Sequence, residues 1–163
     1  MSSFLGANSP LPFEQFGFQS SRGCCQQLLP TQDFISKGIG NGSFVVVYFD
    51  FRKAFDMVPH QILISKLRSV GFVDAALNLL ASFILNRSQQ VRISDSISDL
   101  ILFGVPQGSV LGPLLFLIFV ADLPSLASPG SKMYQFADDL KLVRVIRNDS
   151  DISALLQFPL VLT

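Results

Sequence analysis

The sequence predicts an α+β fold in which helices back an antiparallel sheet. Phe44 to Phe49 is rich in Val, Tyr and Phe, which are typical of a buried strand. Two short apolar runs, 132–136 and 140–146, flank an acidic turn and predict a hairpin. Further segments carry apolar residues at helical spacing. The length of 163 residues suits one domain.

The other elements follow from spacing and end signals. Residues 1–20 are predicted to be irregular and loose, and a helix starting at Gly23 is expected to break at Pro30. Gly71 is expected to end one helix and Asp74 to cap the next. The segments are, in order, a helix over His60 to Val70, a helix over 75–85, a hairpin that pairs 89–93 with 100–103 around 94–96, and a buried helix over 110–123.

The chain is apolar for its size, with 49% hydrophobic residues, 15% charged residues and a mean hydropathy of +0.47. Its longest apolar run, Leu114 to Ala121, is shorter than the roughly 20 residues that a membrane-spanning helix needs. The N-terminus lacks the basic start and apolar core of a signal peptide. We therefore expect an intracellular protein, in the cytoplasm or nucleus, whose apolar faces pack on neighbouring parts of a larger protein.

The charge is balanced. Lys and Arg number 12, Asp and Glu number 12, and the pI is about 6.5. A protein that binds nucleic acid usually presents a basic face, because phosphate contacts dominate its affinity. The basic residues of this chain are scattered along the sequence. We therefore expect only weak binding of nucleic acid by this chain alone.

Acidic residues end two of the predicted strands. Asp138 and Asp139 lie between the strands of the second hairpin, where adjacent carboxylates favour a hard divalent metal that prefers oxygen ligands. An ordinary Asp-rich turn is the alternative. Asp50 ends the strand 44–49, and an unpaired Asp is costly to bury. If that strand lies beside the hairpin, three carboxylates converge and could hold two Mg²⁺ ions roughly 4 Å apart.

A third segment, Gly104 to Pro113, is a loop rich in Gly and Pro that precedes an apolar run. Its glycines allow a flat ligand to approach the backbone closely. The side chain of Gln107 offers both a donor and an acceptor. The alternative interpretation is a helix start with an awkward turn.

Together, these segments resemble the reverse transcriptases of LINE-type (non-LTR) retrotransposons. The resemblance begins at Gln15-Phe16-Gly17-Phe18 and continues through Val143. Within it, Asp50 to His60 is similar to the family's first catalytic motif, Gly104 to Pro113 to its template and nucleotide loop, and Phe136 to Leu140 to its catalytic Asp pair, with Phe where many relatives have Tyr. The fold that the resemblance implies is a right-hand polymerase palm with part of the fingers.

The resemblance also implies the activity of an RNA-directed DNA polymerase. Such an enzyme joins a dNTP to the 3′-hydroxyl of a DNA primer on an RNA template, with two Mg²⁺ ions, or Mn²⁺, as cofactors. Asp50, Asp138 and Asp139 would be the catalytic residues and metal ligands, and the backbone carbonyl of Phe51 would add a ligand. Phe55 would lie under the sugar and exclude a 2′-hydroxyl, unless it is a plain core residue.

The resemblance implies binding roles for three further residues. Gln107 and Gly108 would line the nucleotide and template pocket, and Arg22 would lie near the template or the incoming triphosphate. The family usually has Arg where Gln19 stands and Gly where Ser21 stands, so this chain departs from the pattern beside Arg22.

Two further matches, Asp56 and His60, are expected to be structural, with Asp56 capping the turn before Pro59 and His60 starting a helix. The partial fingers and palm domain is predicted to span 15–147. An irregular segment, 1–14, precedes it, and a tail, 148–163, that does not resemble the family follows it.

Relatives continue into a thumb and usually carry an endonuclease, so we expect the rest of a retrotransposon polyprotein as a partner and no membrane. One alternative is an inactive or co-opted retrotransposon remnant with at most nucleic-acid binding. A metal-dependent phosphatase or cyclase on a similar palm is a more distant alternative, because it would not need the loop around Gln107.

Overall fold

The computed structural model describes residues 11–40 and 42–158. These residues pack as two compact units, one containing the described residues up to Phe51 and from Ala121 onward, the other Arg52–Val120. The length of the chain predicts one domain, whereas the described residues form two units. The segment Arg52–Val120 is a separate unit because its apolar helices pack on one another and bury each other's side chains. Each unit is therefore described by itself.

The described elements are, in chain order, α1 (Cys24–Gly38), β1 (Ser43–Phe49), α2 (His60–Ser69), α3 (Asp74–Ile84), β2 (Arg92–Ile93), β3 (Ser96–Ile97), α4 (Gly112–Phe119), a 3₁₀-helix (Leu123–Leu126), β4 (Ser131–Phe136), β5 (Asp139–Ile146) and α5 (Asp149–Leu156). None of the described helices combines the length and apolar character that crossing a membrane requires.

In the first unit, β1, β5 and β4 form an antiparallel sheet in that order, which confirms the hairpin and the presence of the strand. The expected burial of that strand is wrong for the described residues, because β1 lies at the edge of the sheet and Tyr48 is 72% exposed. Because side chains alternate between the faces of a sheet, each face has its own packing. One face contributes Tyr134 and Val143 to a buried cluster with Phe16. Phe34 and Ile35 of α1 pack against this cluster, so α1 covers that face.

Helix α5 packs along β5. The guanidinium of Arg144 donates to Oδ1 of Asp151 from Nε at 3.2 Å and from Nη2 at 2.6 Å. Near the end of this segment, the ring of Phe158 lies 5.2 Å from the ring of Phe49, and Phe158 is buried. The described part of the predicted tail thus contributes to the core of the first unit.

Helix α1 continues through Pro30, so the predicted break is wrong. Proline removes one backbone donor, at a local cost of about 3 kcal/mol. The hydroxyl of Thr31 donates to the carbonyl of Gln27 at 2.9 Å, and the hydroxyl of Tyr134 donates to the carbonyl of Pro30 at 3.0 Å. Burial raises the pKa of Tyr134, so this hydroxyl stays protonated at neutral pH. Packing of α1 on the sheet outweighs the local cost.

In the second unit, α2 packs against α3 and α4. Leu63 and Leu67 of α2 are fully buried, as are Leu115 and Phe116 of α4. The ammonium group of Lys66 donates to the backbone carbonyl of Phe119 at the end of α4. These contacts give the unit a helical core.

The end signals predict α2 correctly and α3 only in part. Helix α2 begins at His60 and ends before Gly71, as predicted. Helix α3 begins at Asp74 itself, after Val73, and has no side-chain cap. The predicted cap is wrong because Asp74 has a φ of 47°, unlike the extended backbone typical of a capping residue.

Helix α4 is shorter than the predicted helix over 110–123, although it is buried as expected. Val110 is 94% exposed and lies in the preceding loop. The hydroxyl of Ser109 accepts a hydrogen bond from the N–H of Gly112 at 2.9 Å, and the helix begins there. At its other end, α4 stops at Phe119 with Val120 as its C-cap, so the last predicted residues lie outside it.

The predicted hairpin in the second unit is confirmed only in part, because its regular second strand is Ser96–Ile97 and not 100–103, and Ser96 was expected in the turn. Strands β2 and β3 pair antiparallel, with Arg92 opposite Ile97, so Ser94 and Asp95 form the turn. An isolated bridge extends the pairing toward the predicted strand ends, but the regular strands are shorter than expected.

Candidate active site

The register of the sheet brings two acidic positions to one end. Strands β1 and β5 pair with Phe49 opposite Leu140. Asp50 directly follows Phe49 and Asp139 directly precedes Leu140, so both aspartates lie where the pairing ends. Both side chains are exposed. The condition stated from the sequence, that this strand lies beside the hairpin, is therefore met.

Asp138 lies in the two-residue turn, Ala137-Asp138, that joins β4 to β5; we call this the acidic turn. Phe136 pairs with Asp139 across it. Ala137 has a φ of 56°, the left-handed backbone that short hairpin turns require at this position. For a residue other than Gly, this conformation costs about 1–2 kcal/mol. Contacts from outside the hairpin therefore stabilise the acidic turn.

Gln15 supplies such contacts. Its side chain is fully buried, and its Oε1 accepts hydrogen bonds from the N–H of Ala137 at 2.9 Å and of Gly17 at 2.8 Å. Its Nε2 donates to the carbonyl of Ala137 at 3.3 Å. The segment Gln15–Gly17, which we call the strap, also joins β4, because the N–H of Phe16 donates to the carbonyl of Gln135 at 2.9 Å. The predicted looseness is wrong for this segment.

Sequence reasoning missed the role of Gln15 and noted the strap only as the start of the family resemblance. The sequence signal at the strap is Gly17 itself, and the structure gives the reason for it, since a Cβ on Gly17 would lie 2.3 Å from the nitrogen of Ala137. A buried glutamine has no periodicity that identifies a partner 122 residues away.

Arg22 is held within the same N-terminal region. Its Nη1 donates to the carbonyls of Phe13 at 2.6 Å and of Gln15 at 2.9 Å. Its guanidinium lies 4.8 Å from the centre of the Phe13 ring. Gln19, which stands where relatives have Arg, donates to the same carbonyl of Gln15 at 2.8 Å. These contacts support the strap, and the approach of Arg22 to template or triphosphate stays a prediction.

Gln107 and Gly108 lie in a loop of the second unit. The Nε2 of Gln107 donates to Oδ1 of Asp56 at 2.9 Å. The Asp56 carboxylate therefore orients this amide and does not cap the turn as predicted. Gly108 has a φ of 76°, and among the described residues no atom lies within 4 Å of where its Cβ would be. The backbone requires glycine there, and the space beside it is open.

Backbone hydrogen bonds fix the base of this loop. The N–H of Gly104 donates to the carbonyl of Val58 at 2.9 Å, and the N–H of Val105 donates to the carbonyl of Phe55 at 2.8 Å. The Nε2 of His60 donates to the carbonyl of Gly104 at 2.7 Å. This last contact agrees with the structural role predicted for His60.

The two phenylalanines of the first motif differ in their surroundings. The ring of Phe55 stacks on that of Phe116, with centroids 4.5 Å apart and planes at 23°. This is the core contact that the sequence left as the alternative, and the place of Phe55 under a sugar stays a prediction. Phe51 is half-buried just beyond β1, and the use of its carbonyl as a ligand also stays a prediction.

The chemistry of the acidic residues fits a divalent metal. Asp50, Asp138 and Asp139 offer only oxygen donors, which Mg²⁺ and Mn²⁺ prefer. Within residues 11–40 and 42–158, no group of three or more His, Cys, Asp or Glu side chains is arranged to hold a metal ion. The backbone thus brings the acidic positions to one end of the sheet, and the donor set suits the ion that the resemblance implies.

Comparison with known proteins identifies relatives over most of the chain. Residues 2–158 match the family described as reverse transcriptase (RNA-dependent DNA polymerase). The chain is 36% identical over 142 residues to the probable RNA-directed DNA polymerase from transposon BS of Drosophila melanogaster, across 82% of this chain and 16% of that protein. It is 34% identical over 118 residues to the RNA-directed DNA polymerase from mobile element jockey of the same species, across 71% and 13%.

The fold is similar to that of telomerase from Candida albicans, solved in complex with a TWJ fragment of telomeric RNA. The TM-score is 0.64 at 11% sequence identity, and the match covers 95% of this chain and 30% of the telomerase chain.

The sequence alignments with the two Drosophila polymerases span only 16% and 13% of the lengths of those proteins. The chain belongs to the reverse transcriptase (RNA-dependent DNA polymerase) family, and its relatives include RNA-directed DNA polymerases of non-LTR retrotransposons.

Proposed function

We propose that this chain is the palm, with part of the fingers, of an RNA-directed DNA polymerase. The activity is the transfer of a nucleotide from a dNTP to the 3′-hydroxyl of a DNA primer on an RNA template. The observation that carries the proposal is the strand register, with Phe49 opposite Leu140 and an aspartate next to each. The names of the two Drosophila relatives support the same activity.

Asp50, Asp138 and Asp139 would hold two Mg²⁺ ions, with the backbone carbonyl of Phe51 as a further ligand, and Mn²⁺ suits the same donors. When bound, the ions would lower the pKa of the primer 3′-hydroxyl and neutralise charge on the departing pyrophosphate. The protein's own part is to present these oxygen atoms from a rigid sheet end and turn. Positioning of this kind replaces a covalent intermediate.

The loop of the second unit would supply the nucleotide and template surface. Asp56 orients the amide of Gln107 by a hydrogen bond, and the open space beside Gly108 would admit a flat base. Phe55 would exclude a 2′-hydroxyl, and Arg22 would approach the template or triphosphate. Template RNA, primer DNA and dNTPs are the proposed partners, together with the thumb and endonuclease of a longer polyprotein. With these substrates, the proposed site of activity is the cytoplasm or nucleus.

Primer extension on a poly(rA)/oligo(dT) template with Mg²⁺ tests the proposal. We expect the wild-type chain to extend the primer and Asp138→Asn to lose activity by at least about 10²-fold, because metal-bound charge stabilisation is worth several kcal/mol. The fold should remain, since Asp138 lies in a turn, and circular dichroism checks this.

Asp149→Asn is the matched control, because it removes an exposed carboxylate from α5, beyond the other end of β5. Its extension rate should equal that of the wild type. A folded wild-type chain that extends no primer would contradict the proposal for this chain and favour an inactive remnant that at most binds nucleic acid.

A further inference from the structure

We propose that Gln15 is a positioning residue for the acidic turn. By holding the backbone of Ala137, it determines the direction in which the turn presents Asp138. The inference rests on the proposed function, because it concerns the carboxylates that would hold the metal ions. It goes beyond that function by assigning a role to a residue far from the acidic motifs in sequence.

The geometry of the hydrogen bonds carries the first step. Gln15 contacts both polar backbone groups of Ala137, its N–H at 2.9 Å and its carbonyl at 3.3 Å. The N–H belongs to the peptide plane before Ala137, and the carbonyl belongs to the plane that continues into Asp138. Two contacts from one planar amide therefore restrain both backbone dihedrals of Ala137. Restraining the second plane orients the start of Asp138.

The burial of Gln15 carries the second step. Its side chain is 0% exposed, and a buried amide is tolerated only where its polar atoms are hydrogen-bonded. Oε1 has two N–H donors, from Ala137 and Gly17, and Nε2 has the carbonyl of Ala137. A shift of the turn would break these bonds without giving water access to the amide. The buried amide thus opposes movement of the turn.

The third step is the anchoring of the strap, because Gln15 can restrain the turn only if its own backbone is held in place. The carbonyl of Gln15 accepts hydrogen bonds from Arg22 at 2.9 Å and Gln19 at 2.8 Å. On the other side, the N–H of Gln135 donates to the carbonyl of Glu14 at 2.8 Å. The strap is therefore tied to β4 and to its own flanking residues, and it cannot simply follow the turn.

Manganese binding by the full 163-residue chain tests the inference, with free Mn²⁺ measured by electron paramagnetic resonance. Gln15→Met keeps the approximate shape and removes all polar contacts. Gln15→Glu keeps an acceptor for the two N–H groups and removes the donor to the Ala137 carbonyl. We expect both variants to bind Mn²⁺ about 10- to 100-fold more weakly than the wild type, as found when groups behind metal ligands are removed.

Gln27→Met is the matched control, because Gln27 is also a buried glutamine of the first unit but lies on α1. It should bind Mn²⁺ as the wild type does. Asp138→Asn identifies which part of the binding belongs to the acidic turn.

Hydrogen exchange of the Ala137 amide, followed by NMR, is a readout that does not need a metal. Loss of its acceptor in Gln15→Met should accelerate exchange by about tenfold, while the amides of β5 near Val143 stay protected. Protection in β5 also shows that the first unit, which contains Gln15, is folded. If Gln15→Met does not fold, Gln15→Glu replaces it in the Mn²⁺ measurement. Gln15→Asn replaces it in the exchange measurement, because its shorter side chain withdraws the acceptor from the Ala137 N–H.

The outcomes separate the inference from the proposed function. Weaker Mn²⁺ binding and faster Ala137 exchange in a folded Gln15 variant would support the inference. Unchanged binding and exchange would overturn it and leave the proposed function intact. If the wild type binds no more Mn²⁺ than Asp138→Asn, the metal site of the proposed function fails, and Ala137 exchange alone then decides whether Gln15 positions the turn.

Discussion

Single residues of the strap hold the acidic turn by close packing as well as by hydrogen bonds. Gly17 lies so near Ala137 that an added Cβ would be 2.3 Å from its nitrogen and 2.9 Å from its Cα. The atoms that such a Cβ would meet belong to the backbone and cannot rotate away. Glycine is therefore required at position 17 because there is no space for a side chain, and not because of its backbone flexibility.

At this scale, we predict that Gly17→Ala destabilises the chain by about 1–3 kcal/mol, the usual cost of overpacking a well-packed site. Urea unfolding followed by circular dichroism measures the change. Gly23→Ala is the control, because a Cβ there would meet only a side-chain oxygen of Gln26 at 3.2 Å. Equal stability of Gly17→Ala and the wild type would show that Gly17 and Ala137 do not pack closely enough to exclude a side chain at position 17.

Among the elements, α5 depends on charge for its attachment to the sheet. The side chain of Asn148 accepts a hydrogen bond from the N–H of Asp151 at 3.2 Å and caps the helix. Asp151 in turn accepts from the N–H of Arg147 at 3.0 Å and from the guanidinium of Arg144. The Arg147 N–H, followed by the Arg144 side chain, lowers the pKa of Asp151 below its ordinary value of 3.8.

This shift predicts an acid-sensitive helix. Because the folded-state pKa is lower than the unfolded-state pKa, ionised Asp151 stabilises the fold above the unfolded value of 3.8 and loses that effect as the pH falls through the folded value. Asp151→Asn should be less stable than the wild type at neutral pH, and the difference should shrink in acid. Urea unfolding at several pH values measures it, with Asp95→Asn in the exposed β2–β3 turn as the control. A difference that does not change with pH would refute this account.

For the whole molecule, the balance of charge limits what the chain does unaided. Twelve basic and twelve acidic residues leave no net charge, whereas phosphate contacts supply most of the affinity of proteins for nucleic acid. The chain also spans only 16% and 13% of the lengths of two of its relatives. The proposed metal site and the affinity for a duplex therefore need separate measurements.

We therefore predict that the chain binds an RNA/DNA duplex with a Kd of about 10⁻⁶ M or weaker at physiological salt, as expected for nonspecific phosphate contacts. Fluorescence anisotropy of a labelled duplex, titrated at several KCl concentrations, measures the affinity and its salt dependence. Nanomolar binding at physiological salt would contradict this prediction and would show that basic residues scattered in the sequence come together on one surface.

The strands and the acidic motifs were predictable because their signals are local. Val, Tyr and Phe favour β1 wherever the strand packs, and the apolar runs beside the acidic turn specify the hairpin through neighbouring residues alone. The end of α1 was not predictable. Pro30 disfavours a helix locally, and only packing on the sheet outweighs that cost.

The sequence by itself determined the family, the α+β class and the identity of the acidic residues, since these depend on residue types at fixed spacings. The tertiary structure decided which distant groups meet: Asp50 beside the hairpin, Gln15 on Ala137, and Gln107 on Asp56. The physical reason is that contacts between residues far apart in sequence depend on the packing free energy of a whole unit. Local patterns report only what each segment favours alone.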